Sequence, residues 1–136
     1  MKASSFFSIC FIVVLFDQIT KIIIKAFRPH LFLINYIENT GAAFGLFRGN
    51  NFFLTIISVV VVLVILLQVK NIIKDRAAWS YALVLGGLLG NLIDRLAYGF
   101  VVDFIDLQFW PVFNIADSAL TLGVLGIIAY SFIKLA

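Results

Sequence analysis

Three acids fall within one short apolar segment, "VVDFIDLQFWPVFNIADS" at residues 101–118: Asp103, Asp106 and Asp117. Apolar residues bracket Asp103 and Asp117, and little nearby could neutralise them except each other. Two carboxylates brought together in a low-dielectric site do not both ionise readily. One pKa rises and the pair tends to share a proton. Such a pair holds a base and an acid a few ångströms apart at neutral pH. The base can take a proton from water while the acid protonates a carbonyl and then a leaving amine. This suits amide hydrolysis without a metal or a nucleophilic Ser or Cys. Spacing permits this chemistry without requiring it, and Asp106 reads equally well as a solvated loop acid.

Other polar residues fall at matched depths. Asp17 and Lys21 are four apart and share a helix face, as do Asn91 and Arg95, while Asn114 and Asp117 are three apart. An ionisable residue at the centre of a spanning helix costs roughly 2.5–3.5 kcal/mol on insertion scales, so each calls for a partner or a purpose. Structural roles are open for all of them. Asp17–Lys21 can be an ion pair or a lipid-head anchor, Arg95 can snorkel, Asp94 can pair with a neighbour, and the asparagines can join helices. Gly86 and Gly90, four apart, would let their helix approach a neighbour closely.

The elements that must position these groups follow from composition. Of 136 residues, 63% are hydrophobic and 12% charged, and mean hydropathy is +1.13. A soluble domain would need more polar surface, so the chain reads as an integral membrane protein. Its net charge of +3 is then topological and implies no nucleic acid. One cysteine, Cys10, excludes an intramolecular disulfide, and a lone His30 argues against a zinc site. Four apolar stretches approach the roughly 20 residues of a span, at 6–25, 52–69, 79–97 and 114–134. They predict one domain over 1–136, an all-α membrane protein built as a four-transmembrane-helix bundle. Lys70, Lys74 and Arg76 crowd the second loop, and Lys2 and Lys134 lie near the termini. The positive-inside bias therefore puts both termini in the cytoplasm and the polar groups near the outer interface. The first outer loop, "LFLINYIENTGAAFGLF", has strand-forming residues and turns, which suggests a short β-structure at the membrane surface.

Five blocks in order carry a resemblance: "DQITK" (17–21), "NTGAAFG" (39–45), "GNLIDR" (90–95), "VVDF" (101–104) and "FNIADS" (113–118). Together they resemble the bacterial lipoprotein signal peptidases, also called signal peptidase II, over essentially the whole chain. The resemblance implies an aspartic endopeptidase of the bacterial cytoplasmic (inner) membrane that acts without cofactor or metal. Its substrates would be diacylglyceryl-modified prolipoproteins, cut on the amino side of the lipidated cysteine. Asp103 and Asp117 match the catalytic pair. Asn39, Asn91, Arg95 and Asn114 match positions that line the site or hold substrate, and Asp17 with Lys21 matches a polar pair of the first helix. It further implies a small extracytoplasmic β-cradle, a surface helix, inhibition by globomycin-type cyclic peptides, membrane lipids as neighbours and a monomer. The extra acid Asp106 departs from the pattern; by like-charge repulsion it would shift the pair's titration.

Three other readings bear on the same residues. A transporter or proton channel would space polar groups through the whole membrane, whereas these stop at one level. A scaffold would use them only to lock helices together. A carboxylate metal site would be sensitive to chelator.

Overall fold

In hydrocarbon a backbone must satisfy its own N–H and C=O groups, so the apolar runs form helices. The computed structural model describes residues 1–42 and 46–135. Its helices are α1 (Ala3–Phe27), α2 (Asn51–Ile72), α3 (Ala78–Tyr98) and α4 (Ile115–Leu135). Each lies within a few residues of its expected stretch. Strands β1 (Ile34–Asn39) and β2 (Val101–Ile105) occupy the connections after α1 and after α3 and pair antiparallel. The register sets Ile37 opposite Asp103 and Asn39 opposite Val101, with an irregularity between Ile34 and Ile37.

By length and composition α1, α2 and α4 can cross a membrane. Against the four spans expected, three helices qualify among the described residues. In α3, Gly86, Gly87, Gly90, Asn91, Asp94 and Arg95 dilute the apolar content. Its place in the bundle explains the difference. α3 packs against α1, α2 and α4, so its sequence answers to neighbouring helices more than to lipid. α2 is the opposite case: only Ser58, Val62 and Ile65 are buried, and much of its remaining apolar surface is exposed.

Glycine brings α3 onto α1. A Cβ at Gly86 would stand 2.8 Å from the Val13 Cβ, and one at Gly90 would stand 2.6 Å from Asp17 Oδ2. Away from the strands, Phe6, Cys10, Val62, Ile65, Ala82, Val84 and Leu85 form the apolar core. α1 and α3 end in left-handed caps, at Arg28 (φ 44°) and Gly99 (φ 79°). These caps turn the chain into the β segments. The surface helix that the resemblance implied is not found among the described residues. There, a turn at residues 46–49 leads directly into α2.

Candidate active site

The start of α4 is fixed by a reciprocal cap. Asn114 Oδ1 accepts from the Asp117 N–H at 2.8 Å, and Asp117 Oδ2 accepts from the Asn114 N–H at 3.2 Å. This is a capping box with Asn at the cap and Asp three residues on. Asp117 is therefore held by the same geometry that begins its helix, and its charge suits the positive end of the helix dipole.

β2 supplies the second acid. Asp103 is 2% exposed. Its Oδ1 accepts from Asn114 Nδ2 at 2.7 Å and its Oδ2 from Asn39 Nδ2 at 2.8 Å. Asn114 thus touches both carboxyl groups. Asn91 of α3 completes the frame: its Nδ2 donates to Asp117 Oδ1 at 2.7 Å, and its Oδ1 accepts from Asn114 Nδ2 at 3.1 Å. Burial pushes the Asp103 carboxyl up to about 7, helped by the charge on Asp117 and opposed by the Asn39 and Asn114 hydrogen bonds.

Both acids line a cavity of about 660 Å³, with Asn39, Asn91 and Arg95 also on its walls. Its other side is apolar, built from Leu107, Phe109, Trp110 and Pro111 of the loop after β2 and from Leu120 and Leu122 of α4. Arg95 reaches the Gly41 carbonyl only at the long distance of 3.5 Å. Its guanidinium also interacts electrostatically with Asp117, Asp103 and Asp94.

Asp17 and Lys21 lie behind this wall, 0% and 3% exposed. Lys21 Nζ contacts Asp17 Oδ2 at 2.8 Å, Asp94 Oδ2 at 3.0 Å and Asn91 Oδ1 at 3.0 Å. An amide oxygen that accepts from Lys21 leaves Nδ2 to face Asp117, so the lysine sets the orientation of Asn91. Asp17 Oδ1 accepts from the Ala116 N–H at 2.9 Å, and Asp94 Oδ2 accepts from the Val102 N–H at 3.0 Å. The first-helix pair is thereby tied to the backbones that carry Asp117 and Asp103.

All eight residues singled out in the sequence converge on this end of the bundle. Asp94, which reads in sequence as a neighbour's partner, joins them by pairing with Lys21, and Gln18 is the residue that sequence reasoning missed. Gln18 Nε2 lies 3.2 Å from Asp17 Oδ2, 3.1 Å from Asp94 Oδ1 and 3.1 Å from the Gly90 carbonyl. Asp94 lies three residues after Asn91, a spacing that signals a shared face; nothing in the sequence marks Gln18. Of the "NTGAAFG" block, Ala43, Phe44 and Gly45 lie outside the described residues. Asp106 does not join the pair. It holds Asn35 and the Gln108 backbone instead.

Among the described residues, no three His, Cys, Asp or Glu side chains stand close enough to hold a metal ion. The fold and this cavity define a helical membrane protein with two carboxyl groups bridged by asparagine at one end of its bundle. A family model described as "Signal peptidase (SPase) II" matches residues 9–133. The chain is 41% identical over 131 residues to a "Lipoprotein signal peptidase" of Moorella thermoacetica, covering 88% of this chain and 87% of that one. It is 43% identical over 130 residues to one of Thermodesulfovibrio yellowstonii, covering 84% and 85%. A solved structure described as "Bacterial membrane enzyme structure by the in meso method at 2.3 A resolution" superposes with a TM-score of 0.87 at 34% identity. It covers 98% of this chain and 91% of that one. The chain belongs to the signal peptidase II family, a family of membrane peptidases.

Proposed function

We propose that this chain is an intramembrane aspartic endopeptidase that removes signal peptides from diacylglyceryl-modified prolipoproteins. Cleavage falls on the amino side of the lipidated cysteine, and Asp103 and Asp117 activate the water. The observation that carries this reading is that Asn114 holds both carboxyl groups, at 2.7 and 3.2 Å, on the wall of one cavity. The raised Asp103 value, about 7, supports one shared proton at neutral pH.

In this mechanism the ionised member of the pair takes a proton from water. The oxygen attacks the scissile carbonyl carbon, and the protonated member gives its proton to the carbonyl oxygen. The resulting gem-diol collapses as the amide nitrogen takes a proton and the C–N bond breaks. The signal peptide leaves with a new carboxyl group, and the lipidated cysteine gains a free amine. Asn91 and Asn114 hold both acids in place throughout, which lowers the cost of reaching the reacting geometry. Arg95 faces the same space as a donor for substrate carbonyls.

The membrane completes the account. α3 serves as the fourth span, shielded from lipid by its neighbours. Both termini lie in the cytoplasm, so the cavity sits near the outer interface, where water enters and the substrate's acyl chains stay among lipid tails. The enzyme acts as a monomer, needs no cofactor, and is inhibited by globomycin-type peptides that fill the cavity.

The test is incubation of purified protein in lipid with a diacylglyceryl-modified prolipoprotein, read as a band shift. Wild type, Asp103→Asn and Asp117→Asn run side by side, with and without EDTA. Cleavage by wild type alone, indifferent to EDTA, is expected. Full activity in either variant, or loss of activity with EDTA, would sink the paired-acid reading.

A further inference from the structure

The loop between β2 and α4 forms a wall of the cavity, yet no regular secondary structure supports it beyond its ends. Its stems are joined by a bridge between Ile105 and Phe113, with N–H to O distances of 2.8 and 3.1 Å. Between those stems, Leu107, Phe109, Trp110, Pro111 and Val112 line the cavity. Phe109 is 84% exposed and Trp110 53%, so packing alone holds this wall weakly. Gln108 has a left-handed backbone (φ 68°), a conformation that costs a non-glycine residue energy unless its surroundings enforce it.

Contacts that support this conformation include the side chains of Asp106 and Gln108 and one backbone bond. Asp106 Oδ1 accepts from the Gln108 N–H at 2.8 Å, and Asp106 Oδ2 accepts from Asn35 Nδ2 of β1 at 3.0 Å. Gln108 Nε2 donates to the Phe32 carbonyl at 2.7 Å, and the Asp106 N–H donates to the Leu33 carbonyl at 3.1 Å. One carboxylate therefore closes the turn that lifts the wall and fastens it to the opposite strand.

We propose that Asp106 is a positioning residue for substrate binding: it clamps the 106–112 loop to residues 32–35 and so fixes the apolar wall against which the substrate's apolar part lies. This inference rests on the peptidase reading above. It assigns Asp106 a part in affinity and none in the proton chemistry of Asp103 and Asp117. What matters is its two acceptor oxygens. An amide in its place keeps the bond from Gln108, and Asn35 can turn its own amide to present Oδ1 to the new Nδ2.

The test compares Asp106→Ala, Asp106→Asn and wild type in two measurements. In lipid, with a diacylglyceryl-modified prolipoprotein, Asp106→Ala is expected to raise KM by about three- to tenfold, the loss of one or two hydrogen bonds, with kcat held. Asp106→Asn is expected to restore KM to near the wild-type value. The second measurement needs no substrate. In a Trp79→Phe background Trp110 is the sole tryptophan, and acrylamide should quench its fluorescence more strongly in Asp106→Ala than in Asp106→Asn. An unchanged KM and unchanged quenching in Asp106→Ala would overturn the clamp. So would an Asp106→Asn variant as impaired as the alanine, because the charge would then be the active feature. A wild type that cleaves nothing would defeat the peptidase reading while the quenching comparison still decides the clamp.

Discussion

The two ends of this bundle are held together by different physics. At one end Phe6, Cys10, Val62, Ile65 and Leu85 pack without a charge among them, and helices approach through small residues. At the other, Asp17, Lys21, Asn91, Asp94, Asp103 and Asn114 are just as deeply buried and are joined by directional bonds. α3 runs through both, bringing Ala82 and Leu85 to the apolar end and Asn91 and Asp94 to the polar one. Apolar packing tolerates small shifts because dispersion falls off gradually over many contacts. A buried polar frame does not, because each lost partner leaves an unsatisfied group in a low dielectric. The apolar end therefore carries cohesion and the polar end carries geometry.

Substitution at the acids separates the two roles most sharply. Asp103→Asn or Asp117→Asn is predicted to lower peptidase activity by about 10⁴-fold or more with little loss of thermal stability. Joint loss of activity and fold would show that the polar end also carries cohesion. Next in size is Lys21→Met. It leaves the Asp17 and Asp94 carboxylates buried without their cation and should cost about 3–5 kcal/mol of stability, with activity falling too as Asn91 loses its orientation. A variant of normal stability and activity would mean that Asn91 holds Asp117 unaided.

At the apolar end the dissociation should run the other way. A Cβ at Gly123 would stand 2.6 Å from the Ser80 carbonyl oxygen and 2.7 Å from Val84 Cγ2. Gly123→Ala should therefore cost about 1–3 kcal/mol by overpacking, while kcat near the wild-type value persists below the unfolding temperature. Lost kcat in folded protein would couple the two ends. The mildest probe is pH. Asp103 titrates at about 7 in the folded chain against an ordinary 3.8. The folded state thus holds the extra proton between those values, and stability should decline as pH rises through that window. Above about pH 7 the pair loses its shared proton, so kcat/KM should fall about tenfold per unit. Asp103→Asn should abolish the stability decline; its persistence would place the titration elsewhere.

Much of this was legible in the residue order. Hydropathy alone locates the helices to within a few residues, because a backbone in hydrocarbon has few alternatives to a helix. The i,i+4 spacing of Asp17 and Lys21 foretells their 2.8 Å contact, since helix geometry is local. The spacing of Gly86 and Gly90 likewise foretells a close helix neighbour, while only the fold shows that α1 is that neighbour. The bracketing of Asp103 and Asp117 by apolar residues marked them as the acids hardest to explain by structure alone.

Other features depend on segments far apart in the chain. Sequence read α3 as one more span, whereas its position among three helices is what permits its lower hydropathy. A surface helix implied by resemblance is not found among the described residues. Asp106 read as a solvated acid or a perturber of the pair, until Asn35, 71 residues away, proved to be its partner. Gln18 carried no signal because its partners Asp94 and Gly90 lie on another helix. By itself the sequence determined where the helices run and which polar residues share a helix face, since these follow from hydration and helical periodicity. Only the tertiary structure decided which amide faces which carboxylate, because a hydrogen bond is made within about 3 Å and no local rule places side chains from three helices and two strands that closely.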